Sequence, residues 1–210
     1  MVRMKLNPND VDAIFITHMH PDHASGLFTI LQFMNLNGRT NALSLFVPRG
    51  VFPGISAVLP YFQIFENQWP FSILFQPLDG GAKVSIGDFS LLPVANAHLE
   101  GHRSVARRHS LGCDSYSFVF NDRLSGSVLY TSDIPDFTHL ENLREGTGLL
   151  ISEITHVSLP SVIDFCRRHR IAKLVLTHLS TDPSSVFHPS TDDGASIQCQ
   201  WAMDGTVLEV

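Results

Sequence analysis

Residues 14–23 read IFITHMHPDH, three histidines and one aspartate within six positions directly behind a short apolar run. Ala13 to Thr17 is apolar and β-branched, the pattern of a buried strand, and Leu27, Ile30, Leu31 and Met34 then recur at helical spacing as far as Gly38. The chain must therefore pass from strand through a ligand cluster into helix. On an extended strand end, alternation sends His18 and His20 to one side, where both imidazoles can meet one metal ion. Pro21 stops the strand, and Asp22 and His23 fall at the turn into the helix, where they can point to a second ion. Imidazole with carboxylate suits zinc, and also iron or manganese. A lone histidine is ordinarily structural, but so dense a cluster behind a buried strand rarely is.

Composition narrows the setting of that cluster. A chain of 210 residues, 44% hydrophobic, is long enough for one domain spanning 1–210 with a sizeable core and no disulfide staples. No run approaches the roughly 20 apolar residues of a membrane span, and MVRMKLNPND lacks an apolar signal core, so a cytoplasmic protein is expected. Cys113, Cys166 and Cys199 share no metal-knuckle spacing and are expected to be small apolar groups. A formal charge of −6, from 14 Lys+Arg against 20 Asp+Glu, argues against a generic nucleic-acid binder while leaving room for a local basic patch.

Further strands are expected at Leu43 to Val47, Ser72 to Phe75, Lys83 to Val94 with a turn at Ile86 to Phe89, Tyr116 to Phe120 and Ser127 to Thr131, mostly as hairpins. The last third changes to strand, helix, strand: Leu149 to Ile151, a helix from Leu159 to His169 with Pro160 in its first turn, Lys173 to Thr177, and a final Thr206 to Val210. Between Arg49 and Phe71 an apolar, aromatic segment carrying Pro53, Pro60 and Pro70 reads as a packed helix-and-loop insert.

A two-metal site needs more ligands, and they stand at strand ends. His98 closes SLLPVANAH, Asp133 follows the strand in VLYTSD, and His178 follows that in LVLTH. The inferred distribution puts His18, His20 and His98 on one ion and Asp22, His23 and His178 on the other, with Asp133 bridging. His102 and His109 compete with His98, and Asp133 could instead cap a turn in SDIPD.

THMHPDHASGL resembles the signature of the metallo-β-lactamase superfamily, and NAH98, SYSFVF, LYTSD133, LLISEITH and LVLTH178 resemble its later motifs in their usual order. The S-Y-x-F-x-F strand, L-Y-T-S-D and the closing AMDGTVLEV are most similar to the ribonuclease Z and phosphodiesterase-like branch. The resemblance implies a mixed α+β or α/β chain, a four-layer αββα sandwich, here short at its N-terminus. Asp133, where antibiotic-hydrolysing members can carry a cysteine, speaks against a β-lactamase, and His20 speaks against the flavodiiron branch, which has a glutamate there.

Three departures qualify the carry-over. Only 17 residues precede His18, where members usually have opening strands, so an open sheet edge and self-association through it are expected. Ribonuclease Z enzymes insert a tRNA-gripping arm between the third-motif histidine and the bridging aspartate. Here Asp133 comes only 35 positions after His98 and the chain is acidic, so tRNA is expected to be an unlikely partner. The His-Glu-Ala-Thr loop of that branch reads Ser152-Glu153-Ile154-Thr155, with His156 beside it as a candidate general acid.

These features together imply a hydrolase in which two divalent ions, zinc first and manganese or iron as alternatives, activate water. Asp22 and Asp133 would orient that water, and a phosphodiester is the favoured substrate, with a small molecule as the broader class. Glu153 could hold a ligand imidazole. Arg103, Arg107 and Arg108 could clamp a phosphate, or serve only as solvated surface charges. A carboxylic ester, lactone or thioester hydrolase on the same centre and a non-catalytic metal-binding domain are the other readings.

Overall fold

The computed structural model describes residues 6–122, 126–142, 146–178, 197–203 and 205–208. They form two compact units, one of residues 1–79 with 99–115 and one of residues 80–98 with 116–210.

The first unit is built on a three-stranded parallel sheet of β1 (Ala13–Phe15), β2 (Leu43–Pro48) and β3 (Ile73–Leu78), in that order. Parallel neighbours require helical crossovers. These are α1 (Pro21–Ala24) and α2 (Gly26–Leu36) after β1, and α3 (Phe52–Val58) with short 3-10 turns after β2; α4 (Arg103–Arg108) completes the unit. Leu27, Leu31 and Met34 on α2 pack with Leu43, Leu45 and Val47 of β2 and with Ile55, Leu59, Ile64 and Phe71 in one buried cluster. The segment between β2 and β3 is therefore the packed insert its prolines suggest. Leu27, Ile30, Leu31 and Met34 all lie on α2 as their spacing suggests, with Ile30 38% exposed, whereas β2 and β3 run parallel to β1 rather than as hairpins.

Arg39, just past α2, has no exposed surface and clasps this unit from within. Its guanidinium donates to the Pro8 carbonyl and, at 2.7 Å, to the Ala42 carbonyl, and lies 5.4 Å from the centroid of the Phe71 ring. Burial pushes its pKa down, partly offset by the Asp12 charge.

The second unit holds a seven-stranded sheet in the order β10-β9-β8-β7-β6-β5-β4, from β4 (Val84–Ile86), β5 (Phe89–Ala95), β6 (Tyr116–Asp122), β7 (Gly126–Tyr130), β8 (Thr147–Glu153), β9 (Lys173–Thr177) and β10 (Gln198–Trp201). β4 and β5 form the expected tight hairpin, Ile86 opposite Phe89, with Gly87 at φ +58° where a side chain would be strained. β5, β6 and β7 pair antiparallel, whereas β7, β8, β9 and β10 pair parallel. Consequently β5, β7, β8 and β9 all point the same way, and their carboxyl ends share one edge of the sheet.

The crossover helix α5 (Leu159–His169) spans the expected residues, because Ser158 caps it by accepting from the Ser161 amide at 3.3 Å and Arg170 closes it at φ +56°. Val162, Phe165 and Cys166 form its buried face. The expected last strand is displaced: β10 lies at Gln198–Trp201, while residues 206–208 are not in a strand and 209–210 fall outside the described residues. Among the described residues no helix is long and apolar enough to cross a membrane.

Candidate metal centre

Each unit carries one group of the expected ligands at the carboxyl ends of its strands. In the first, β1 ends at Phe15, two residues earlier than the sequence suggests, and the chain continues without ladder partners to Pro21. Pro21 starts α1 and holds His20 before it in an extended conformation, φ −63° and ψ 146°. The His23 and Ala24 amides both donate to the His20 carbonyl at 3.0 Å. This folds four donor residues around one turn. The His18 ring centroid lies 4.8 Å from that of His20 and 4.2 Å from that of His23, and His23 Nε2 stands 3.5 Å from Asp22 Oδ2. His18 is fully buried and shares a 3.1 Å hydrogen bond between Nδ1 and the Thr17 hydroxyl, which fixes its ring plane. The Asp22 side chain is 63% exposed.

In the second unit the donors arrive from four strand ends. His98 follows β5, and its amide donates to Asn96 Oδ1 at 3.1 Å; Asn96 Nδ2 donates to the Ser117 hydroxyl, which in turn donates to the Thr131 carbonyl at 2.6 Å. Asp133 follows β7 and is buried, with Oδ2 3.6 Å from His98 Nε2 and Oδ1 3.6 Å from His178 Nδ1. His178 follows β9. Ser132 and His178 both adopt left-handed backbone, at φ +53° and +52°. Such conformations cost about 1–3 kcal/mol and persist where surrounding structure over-determines them.

Glu153, 1% exposed at the end of β8, laces these loops together. Its carboxylate accepts from the amides of Ile134 at 3.1 Å, Thr155 at 2.8 Å and His156 at 2.8 Å, and lies 3.0 Å from His156 Nδ1. Thr155 then donates its hydroxyl to the His178 carbonyl. The Ser-Glu-Ile-Thr stretch is thus a fastener between the loops after β7, β8 and β9. Its Ser152 hydroxyl is buried and donates to the Glu153 carbonyl at 3.0 Å, which leaves it turned into the backbone. The imidazole Glu153 bonds is that of His156.

His156 itself enters the cluster. Its ring centroid lies 4.8 Å from that of His98 and 5.8 Å from that of His178, and donor atoms of Asp133, His156 and His178 all fall within 4.8 Å of one another. These are imidazole and carboxylate donors, the set that suits zinc, manganese or iron. Nearby Tyr130 has its pKa raised, by burial first and then by the Asp133 and Glu153 charges, so its phenol stays protonated at neutral pH. Neither the role of Thr155 nor the position of Tyr130 is evident from the sequence; the Glu-x-Thr-His spacing is the only local signal.

His102, which competes with His98 in the sequence, belongs to the first unit, its ring centroid 6.0 Å from that of His20.

Comparison with known proteins accords with this geometry. Residues 2–179 match the model of the Beta-lactamase superfamily domain. A ribonuclease Z of Archaeoglobus fulgidus is 30% identical over 247 residues, covering 94% of this chain and 79% of that protein. A ribonuclease Z of Nanoarchaeum equitans is 27% identical over 154 residues, 72% of this chain but only 44% of its own length. Among solved structures, the metallo-beta-lactamase fold protein YhfI from Bacillus subtilis has a TM-score of 0.68 at 18% identity, covering 96% of this chain and 78% of that one. The human tRNase Z, short form, has a TM-score of 0.65 at 17% identity, with 96% and 80% covered. The mixed α/β chain with two sheets is the fold the motifs imply.

One expectation is overturned. A protein whose relatives are ribonuclease Z, and whose fold is shared with a tRNase Z, gives no ground for treating tRNA as unlikely. The error lay in weighing a net charge of −6 over the whole chain, when binding to phosphates follows the local distribution of charge.

Proposed function

Because the chain belongs to the beta-lactamase superfamily, in its ribonuclease Z and phosphodiesterase-like branch, we propose that it is a two-metal hydrolase of RNA phosphodiesters, with tRNA the first substrate to test. The observation that carries this reading is Asp133, a buried carboxylate with one oxygen 3.6 Å from His98 and the other 3.6 Å from His178. A carboxylate so placed turns one oxygen towards each of two imidazoles and could be shared by two cations. The proposed ligands are His18, His20 and His98 for one ion and Asp22, His23 and His178 for the other, with Asp133 shared. Bound there, two zinc ions, or manganese or iron, would supply Lewis-acid stabilisation and acidify water.

The protein's own groups do the rest. Asp133, with Asp22, orients the attacking water against the phosphorus. His156, whose Nδ1 is held by Glu153, offers its other ring nitrogen to the leaving oxygen, and the Glu153 carboxylate keeps that ring in place. Tyr130, kept neutral, serves as a hydrogen-bond donor and not as a base.

The test combines elemental mass spectrometry with turnover of a tRNA precursor, a bis-aryl phosphate and an aryl ester. About two ions per chain are expected, with both phosphodiesters cleaved, the ester spared, and turnover lost on chelation and in Asp133→Ala. Preference for the ester, or turnover that survives chelation, would sink the reading.

A further inference from the structure

His156 stands in the donor cluster of the second unit yet belongs to neither proposed ligand set. Its Nδ1 lies 3.9 Å from Asp133 Oδ2, and His178 Nδ1 lies 3.6 Å from Asp133 Oδ1. Glu153 closes the ring, with Oε2 3.1 Å from His156 Nδ1 and 3.9 Å from His178 Nδ1. Two imidazole nitrogens therefore face two buried carboxylates at the ends of β7, β8 and β9. Strain concentrates here too: Ser132, directly before Asp133, and His178 are both held in left-handed backbone.

The spacings decide what this ring of donors can hold. At 3.6 to 3.9 Å, three of the four contacts are too long for hydrogen bonds, whose heavy atoms stand about 2.7–3.2 Å apart. Donors that surround one zinc-sized ion at about 2.0–2.2 Å instead stand about 3.3–3.6 Å from one another, the edge of a tetrahedron. A small inward movement of these side chains would bring them all to one ion. Two imidazoles with a carboxylate form a set that manganese, iron and zinc all accept.

His156 also marks a way in. Its side chain is 37% exposed against 3% for Asp133, and it lines a cavity of about 580 Å³ at the start of α5. Asp136, Glu141 and Asp164 line the same cavity, set against Arg168, which Glu141 and Asp164 both bind. A cleft with that balance of charge raises the local concentration of cations.

We infer that Asp133, His156 and His178 form a loading site for a single divalent cation, which enters through the acidic cavity and has the Glu153 carboxylate beside it as a fourth group. This goes beyond the two-metal reading, in which His156 holds no ion, because it assigns His156 to the protein carrying one ion. Both roles of His156 turn on the same contact. While an ion takes Nδ1, Glu153 keeps its three amide donors and releases that imidazole. When His178 passes to the two-metal set, the imidazole returns to Glu153.

The experiment titrates the full chain, stripped of metal by a chelator and dialysed, with zinc chloride while NMR follows the imidazole nitrogens. Up to one equivalent, the Nδ1 signals of His156 and His178 should move to the range of metal-bound nitrogen while those of His18, His20 and His23 stay. Beyond one equivalent the His156 signal should return towards its metal-free position. Competition with a chelator should show the first zinc bound at least about 10- to 100-fold more weakly in His156→Asn, the loss seen even for residues that only steady a ligand. His20→Asn should leave the first affinity unchanged and weaken the second. First-equivalent shifts at His18, His20 and His23, or a first affinity that His156→Asn does not alter, would overturn the inference. The NMR arm needs no variant, so it decides the matter even where His156→Asn fails to fold. One ion on His156 with no second at saturation would leave the loading site standing and remove the two-metal reading; two bound ions with the His156 signals unmoved throughout would do the reverse.

Discussion

The two units assemble their donors by opposite means. In the first, four donor residues lie within six positions, and Pro21 with one helical turn brings them together. In the second, His98, Asp133, His156 and His178 span 81 positions (178 − 98 + 1) and meet only because β5, β7, β8 and β9 end at one sheet edge. A local cluster needs little beyond backbone stiffness. A dispersed one needs fasteners between loops, and Glu153 and Thr155 are those fasteners. The second cluster should therefore be the more fragile.

Glu153→Ala tests that difference most severely. It leaves three amides without their acceptor in a site that is 1% exposed, at about 1–3 kcal/mol for each buried donor left unsatisfied. We expect a loss of about 3 kcal/mol or more in chemical denaturation, and at least a 10- to 100-fold fall in metal affinity or turnover. In the metal-free protein, imidazole NMR signals of His98, His156 and His178 should shift while those of His18, His20 and His23 hold. Equal disturbance of both sets would mean the two clusters are not independently built.

Arg39→Ala is the mirror experiment, because Arg39 fastens the first unit as Glu153 fastens the second. Removing it frees the Pro8 and Ala42 carbonyls and opens space against Phe71, at a cost of about 2–3 kcal/mol. Yet Arg39 is remote in sequence from the donor cluster, whose geometry is set by Pro21. The His18, His20 and His23 signals should keep their positions even as the unfolding midpoint falls. Loss of those signals below the transition would show that the local cluster, too, depends on a distant clasp.

The same contrast explains what could be read from the sequence. IFITHMHPDH, the β4–β5 hairpin and α5 are each specified by neighbours along the chain: a proline, a two-residue turn, a serine cap. Strand ends His98, Asp133 and His178 were legible because each closes an apolar run. By contrast, β10 has the polar alternation Gln-Cys-Gln-Trp of an edge strand, while the apolar Thr206 to Leu208 stretch beside it forms none. Arg39 and the Glu153 lacing were hidden for another reason. Arg39 reaches back to Pro8, and Glu153 reaches Ile134 as well as its neighbours Thr155 and His156, so the Glu-x-Thr-His spacing shows only the local half of that lacing. The direction of β2 and β3 was misjudged because apolar runs do not encode whether their neighbours are parallel.

The smallest expected effect separates the units by their thiols. In the second unit burial raises Cys166 to about 12 and Cys199 to about 11, whereas the first contains only Cys113, in the loop after α4. Folding here favours the neutral thiol over an ordinary value of 9.0. Stability from this source is therefore full below about pH 9 and declines as the pH climbs towards 11–12, because the unfolded chain releases those protons first. At pH 8 the reactive thiolate is scarce at both sites, so alkylation with iodoacetamide followed by mass spectrometry should show one fast label per chain, at Cys113. Labelling of Cys199 at the same rate would place β10 in an opened state for much of the time. The edge strand would then count with the chain's least stable parts, and the durable part of the second unit would be the set of strands that Glu153 and Thr155 hold together.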